Sequence, residues 1–442
     1  GLLSSLRDTR GFSHNYSYTT GKLTQDSAPD GQILNLTRTE SSTQTAVALT
    51  QTSAGTKTFT TTTQPGKRVS TIGFADGTQS VVEQTGDGVS LSTFADGTKV
   101  KSQLLPDSRL GMLAPTESTQ ILLPSGLQQL STRTTATTLS AANDPLSMTA
   151  QTVTNTTNSR TLASTYTVAT RTTVLTTPAG RIARVVTDAQ ERATRIELPG
   201  REAIVMSYDP QGRLTSHTQG SGAAQRAVTF AYAPSGWLDS WTRASTLESM
   251  QYGRDAIGRV LNATAQDGRT IGFAYDAASN LISLTPSGRP AHLMTYTPAD
   301  LLEDYTAPAA DASSQPATVH WQYTNHRRPS GITRPDAQTT TIAYDASGRP
   351  AGRTIPGDAV TYTYHPSTGQ LTKLDSANGS VQFTYDGALL TKTTWSGTAA
   401  QIQGSVEATY DANFWLDKLR VNGTEVVDYG YDSDGLIVST GA

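Results

Sequence analysis

Between Ile204 and Tyr431 large apolar side chains fall at every second position in a series of short segments that close on a tyrosine. Ile204-Met206-Tyr208, Val228-Phe230-Tyr232, Ile271-Phe273-Tyr275, Val319-Trp321-Tyr323, Val360-Tyr362-Tyr364, Val381-Phe383-Tyr385 and Val427-Tyr429-Tyr431 share this form, with Thr229, Gln322, Thr361 and Thr384 among the small or polar residues between. Period two places all these rings on one face of an extended strand. The full tyrosine series is Tyr208, Tyr232, Tyr252, Tyr275, Tyr296, Tyr323, Tyr344, Tyr364, Tyr385, Tyr410 and Tyr431, at intervals of 20 to 27 residues. That spacing predicts one supersecondary unit stacked on copies of itself.

The second half of each unit reads as a turn and a returning strand. Tyr208-Asp209-Pro210-Gln211-Gly212, Tyr344-Asp345-Ala346-Ser347-Gly348 and Tyr431-Asp432-Ser433-Asp434-Gly435 set Asp at the turn start and Gly four residues after Tyr. Asp can hydrogen-bond its own backbone there, and Gly supplies the positive φ that closes a hairpin. Leu214, Leu238, Leu281, Leu302, Leu416 and Ile437, each six after its tyrosine, open the returning strand. Each unit is predicted to be a β-hairpin.

The pairs Tyr208-Asp209, Tyr275-Asp276, Tyr344-Asp345, Tyr385-Asp386, Tyr410-Asp411 and Tyr431-Asp432 make the chain resemble the YD-repeat (Rhs) family. That family includes bacterial Rhs toxins, the C components of insecticidal toxin complexes, wall-associated bacterial proteins and the teneurins. Individual copies depart from the pattern. Ala, Gly, Thr, Thr and His follow Tyr232, Tyr252, Tyr296, Tyr323 and Tyr364, Ser279 and Asp300 stand at the turn Gly, and Pro350 replaces the returning Leu. Upstream, Gly73-Phe74-Ala75-Asp76-Gly77 through Pro115 is similar in style to the teneurin-like part of such a shell. The resemblance implies an all-β ribbon spiralling into a hollow barrel or cocoon, which in toxin-bearing members encloses a C-terminal cargo.

The rest of the chain is expected to continue the ribbon as one shell: first repeats over 1–40, a Thr/Ser-rich irregular β part over 41–180, and regular repeats over 181–442. In the middle part Thr alternates with Val, Leu and Ile, and Phe74-Ala75-Asp76-Gly77-Thr78 recurs as Phe94-Ala95-Asp96-Gly97-Thr98, which favours strands over a disordered stalk. Loop insertions are expected from Pro308 to Gln315 and between Tyr385 and Tyr410. Eleven hairpins make about 22 strands and a ribbon on the order of 100 Å long. Open twisted sheets seldom exceed about ten strands, so the ribbon is expected to spiral, each lap pairing with the next and the rings stacking into ladders that knit the laps.

Composition narrows the function. Charged residues are 16%, and 34 Lys and Arg against 37 Asp and Glu give a net charge of -3, which argues against nucleic acid as a partner. There is no cysteine, hence no disulfide or thiolate metal site. No apolar run is long enough for a membrane helix, and Gly1-Leu2-Leu3-Ser4-Ser5-Leu6-Arg7 is too short and polar for a signal peptide. The start without Met reads as a segment of a longer polypeptide.

No constellation of catalytic, cofactor or metal-binding residues emerges. His14, His217, His292, His320, His326 and His365 lack paired ligand spacing. Asp432-Ser433-Asp434-Gly435 resembles the start of a calcium loop but lacks its distal Glu. The Asp-bearing self-cleavage motif of Rhs toxins has no counterpart, since no Gly follows Asp144-Pro145-Leu146. Six glycosylation sequons, at Asn15, Asn35, Asn155, Asn262, Asn378 and Asn422, are what a Thr-rich chain yields by chance.

The expected function is a non-enzymatic shell segment of a secreted or surface-displayed bacterial protein, enclosing a toxin or other cargo of the same polypeptide, with no cofactor. The alternative is a surface adhesion module binding glycan or a protein, for which Trp237, Trp241, Trp395 and Trp415, off the main tyrosine series, are the sugar-stacking candidates. The structural residues are the eleven tyrosines and the turn positions Asp209, Gly212, Asp276, Asp345, Gly348, Asp386, Asp411, Asp432 and Gly435.

Overall fold

The computed structural model describes residues 1–51, 55–309, 315–398 and 402–441. The expected insertions at Pro308 to Gln315 and between Tyr385 and Tyr410 contain 310–314 and 399–401, which lie outside the described residues. The described residues form 39 strands and one short 3₁₀ turn, Gly222–Ala224. All the strands belong to one antiparallel sheet in which each pairs with its sequence neighbours. Among the described residues no helix is long and apolar enough to cross a membrane.

The Tyr-Asp hairpin shows why the sequence folds this way. The strands Ile204–Tyr208 and Leu214–Gln219 are joined by a turn in which the Asp209 amide donates to the Arg213 carbonyl and the Gly212 amide to the Asp209 carbonyl, both at 2.9 Å. Asp209 Oδ1 accepts the Gln211 and Arg213 amides, and Gly212 adopts φ 85°. The register slips by one residue beside the turn, a bulge that leaves Thr215 of the returning strand unmatched. It falls between Ser207 and Tyr208, and the same slip recurs at Tyr232, Tyr275, Tyr296, Tyr323 and Tyr344. Where Gly is missing, Ser279 (φ 72°), Asp300 (φ 62°) and Phe414 (φ 62°) take the left-handed position. Asp386 differs: it pairs with Leu389 across a two-residue turn led by Gly387.

Tyr252 is not in the register of the other tyrosines. The bulge falls between Gly253 and Arg254, and Arg254 pairs with Val260 as Tyr208 pairs with Leu214. The next turn starts at Asp255, two residues later than Tyr252 implies. Arg254 stands in for the repeat tyrosine, and the sequence offset arises because Tyr252 fills the mid-strand ring position of Met206 or Phe230.

The ribbon is one layer thick. Only Leu123 and Ala263 are buried apolar residues among those described, and no large side chain is fully buried. Along Asp358–Tyr364 the ring positions Val360, Tyr362 and Tyr364 are half-buried while Ala359, Thr361 and Thr363 are exposed. Cross-strand partners on the ring face run Phe230-Trp241-Met250 and Tyr362-Leu374-Val381, whereas the opposite face reads Ser207-Ser216-Thr229-Thr242.

The sheet does not close by hydrogen bonding. Ser5–Arg7 and Ile437–Gly441, at its two ends, each pair with one neighbour. The expectation that laps pair as strands is corrected: laps meet through side chains at their rims. The Phe74–Thr78 turn follows the seventh strand and meets the turn after the thirtieth; the Thr177–Arg181 turn follows the fifteenth and meets the turn after the thirty-eighth. One lap is 23 to 25 strands, since those two contacts span 23 whereas Arg10–Asp300 and Asp30–Arg327 span 25; that is roughly 110–120 Å of ribbon at about 4.8 Å per strand. The described sheet therefore makes a little more than one and a half laps.

Candidate functional site at the seam between laps

Turns on one rim of the first lap face the tyrosine-led turns of the second. Arg10 reaches Asp300 (2.7 Å) and Asp276 (3.8 Å), Arg327 reaches Asp30 (2.8 Å), and Arg349 reaches Asp76 (2.7 Å). The Ser125 amide donates to Asp386 Oδ1 at 2.9 Å, and its hydroxyl to Oδ2. Asn158 Nδ2 donates to the Ala412 carbonyl (2.9 Å) and to Asn413 Oδ1 (2.7 Å). Asp434 accepts from the Thr177 hydroxyl (2.7 Å), the Ala179 amide (2.8 Å) and Arg181, which also pairs with Asp432. These bonds span about 250 to 300 residues of sequence.

Electrostatics at the seam depends on how each carboxylate is served. The Arg181 guanidinium, with the Leu436 and Asp434 amides, holds Asp432 below the ordinary carboxylate range. At Asp434 desolvation pushes upward, but the Ala179 amide, Thr177 hydroxyl and Arg181 outweigh it, and the pKa is lowered. Asp345 behaves alike: desolvation raises it, the Arg349 amide and guanidinium lower it further.

Within a lap the hairpins are fastened by the same rim residues. The Tyr208 hydroxyl donates to the Ala193 carbonyl, Tyr232 to Leu214, Tyr296 to Leu281, Tyr323 to Leu302, Tyr344 to Pro329, Tyr364 to Pro350, Tyr410 to Leu390 and Tyr431 to Leu416, all at 2.7–2.9 Å. Each bond reaches back to the returning strand of the preceding hairpin. Arg254, in tyrosine register, does the same from Nε to the Leu238 carbonyl (3.2 Å). The Tyr275 and Tyr385 hydroxyls have no partner among the described residues.

An arginine five residues after one tyrosine covers the next. Arg213 lies 4.5 Å from the Tyr232 ring, Arg328 5.6 Å from Tyr344 and Arg349 4.3 Å from Tyr364, while Arg213 and Arg349 also pair with Asp209 and Asp345 of their own turns. Asp thus closes its turn with Oδ1 and steers the arginine with Oδ2. The expectation that stacked rings knit the laps is corrected: cations cover the tyrosines, and polar rim contacts join the laps. Sequence reasoning missed these arginines, although Gly212-Arg213, Gly258-Arg259 and Gly348-Arg349 were a visible signal.

The four tryptophans do not converge. Trp415 packs against Tyr431 (5.0 Å between centroids) with the first-lap Arg160 guanidinium 3.9 Å from its ring, which makes it a seam residue. Trp241 donates to the Tyr252 hydroxyl (3.2 Å), and Trp395 lies against Gly404. Trp237, 47% exposed, covers the Gly258 turn. His292 bonds Tyr305 (2.6 Å) and His320 bonds Asp304 (2.8 Å). No group of three or more His, Asp and Glu side chains among the described residues is placed to hold a metal.

A single-layer ribbon of Tyr-Asp hairpins, coiled so that one rim locks onto the other, is the wall of a YD-repeat shell. The teneurin YD-shell family model matches residues 1–441, and the chain belongs to that family. No curated protein matches it. Among solved structures, that of TcdB2-TccC3-Cdc42 is similar at 13% identity, over 97% of this chain and 26% of that one, with a TM-score of 0.44. TcdB2-TccC3 without its hypervariable C-terminal region is similar at 13% identity, 96% and 25% coverage and TM-score 0.43. A Photorhabdus luminescens Tc holotoxin pore matches at 11% identity, 98% and 30% coverage and TM-score 0.34. The chain spans about a quarter to a third of these chains' lengths.

Proposed function

We propose that this chain is a structural, non-catalytic stretch of one continuous shell in a secreted or surface-displayed protein, and that the shell encloses polypeptide cargo, such as a C-terminal toxin of the same protein. The observation that carries the reading is the seam: a ribbon whose laps lock rim to rim every 23 to 25 strands bounds a volume. The two faces support an orientation. A sheet one layer thick turns its Ser/Thr face to bulk water and its half-buried ring face toward the enclosed side.

The test is to fuse a marginally stable reporter domain after residue 442 and follow its cleavage by thermolysin. The reporter is expected to resist in the unaltered chain and to be cut rapidly when Arg10, Arg181 and Arg349 are all replaced by alanine. Equal cleavage in both, with the ribbon itself intact, would remove enclosure from the reading.

A further inference from the structure

The repeated Phe-Ala-Asp-Gly-Thr motif is only half used by the seam. Asp76 of the first copy binds Arg349; Asp96 of the second caps its own turn through the Thr98 amide (2.9 Å) and makes no ion pair among the described residues. The two copies set Phe74 and Phe94, 38% and 43% exposed, on the wall of one cleft of about 500 Å³ that straddles the seam. Lys57 lines it too, its ammonium 4.9 Å from the Phe74 ring and 5.3 Å from Phe59, with no carboxylate partner among the described residues. Arg328, across the seam, adds a second cation; its Nη1 donates to the Gly348 carbonyl.

We propose that this cleft is a binding site for an extended polypeptide segment carrying a large apolar side chain next to a carboxylate. The apolar side chain sits against the Phe74 and Phe94 rings, and the carboxylate meets Lys57 and Arg328. Charge complementarity selects this occupant: among the residues lining the cleft, Lys57, Arg328 and Arg349 outnumber Asp76 and Asp96. Of these cations only Arg349 is tied up in ion pairs among the described residues, with Asp76 and with Asp345 of its own turn. An ammonium over an aromatic face keeps its charge while losing part of its hydration, so it is poised for an anion. The source of the segment rests on the container reading: it is a stretch of the enclosed polypeptide, held where the two laps meet.

The experiment uses the whole chain with its eight phenylalanines replaced by 4-fluorophenylalanine, the two cleft signals being assigned from Phe74→Leu and Phe94→Leu. Acetyl-Asp-Leu-amide is expected to shift those two fluorine signals saturably in the millimolar range, and acetyl-Asn-Leu-amide to bind roughly fivefold more weakly. Lys57→Gln, a half-exposed position outside the seam bonds, is expected to erase the difference between the two peptides. Movement of all eight signals together, no movement at tens of millimolar, or equal binding of both peptides by the unaltered chain would overturn the proposal. The titration reads the cleft alone, so its failure leaves enclosure to the reporter experiment.

Discussion

Replacing Asp386 with alanine isolates one seam contact with an internal control. The Ser125 amide is bonded only across the seam, to Asp386 Oδ1 at 2.9 Å, whereas the adjacent Gly126 amide donates to the Leu123 carbonyl of its own turn at 2.9 Å. A hydrogen bond to a charged acceptor contributes about 1.5–3 kcal/mol, and the openness of this rim to water argues for the low end. Taking about 1.4 kcal/mol, exchange of the Ser125 amide should speed up roughly tenfold. Gly126 should be unchanged. Site-resolved hydrogen exchange reads both amides in one experiment. Acceleration of both would mean that the variant loosens the turn itself; acceleration of neither would mean that Asp386 does not hold the laps together, and the seam account would fail.

Acid should open the seam, and the direction follows from its carboxylates. Asp432 and Asp434 titrate below their unfolded range, so their contribution is complete above about pH 4 and is lost as pH falls through the lowered folded values. Protection of the Ala179 amide, corrected for intrinsic exchange, should therefore hold steady from about pH 7 to 5 and fall below about 4; loss by about pH 6 would point away from these carboxylates. Tyr323→Phe removes the 2.7 Å bond to the Leu302 carbonyl and should cost about 1 kcal/mol in urea unfolding, while Tyr385→Phe, with no hydroxyl partner among the described residues, should be near neutral. Equal losses would assign the tyrosines to ring packing instead. Gly258→Ala should destabilise its turn more than Gly268→Ala: both are left-handed, but a Cβ at 258 would lie 2.5 Å from the Trp237 ring and one at 268 meets nothing. Local proteolysis ranks the two.

The hairpin was legible because its determinants are local. Alternation, Asp at the turn start and a left-handed residue three further on are all encoded within about ten positions, and even Ser279 and Asp300 could be read as substitutes for Gly. The Thr-rich middle of the chain is strand for the same reason: in Thr152–Thr157 and its neighbours β-branched residues fill both faces of a one-layer sheet. Tyr252 misled because mid-strand rings and strand-end tyrosines share one face, so residue type alone cannot set register; the Gly258-Arg259 pair, in phase with Gly212-Arg213, marks the true turn. The seam was not legible. Asp30 and Arg327 are ordinary turn residues in the sequence, and their pairing follows from how far the ribbon curves per strand, a collective property of bulges and twist. The tyrosine hydroxyl was also hidden, since alternation registers only that a ring is large and apolar.

A lap of 23 to 25 strands makes the seam a vernier. Its partners stand 25 strands apart at Arg10–Asp300 and Asp30–Arg327 and 23 apart at Asp76–Arg349 and Arg181–Asp434, so the rims take up one hairpin of drift, and duplicating a further hairpin within a lap would slide every later turn one tooth past its mate. Lengthening a loop leaves the teeth in phase. Such a wall can vary freely in its loops while its strand count per circuit stays within one hairpin, and it grows with the least change of phase by extension at its ends.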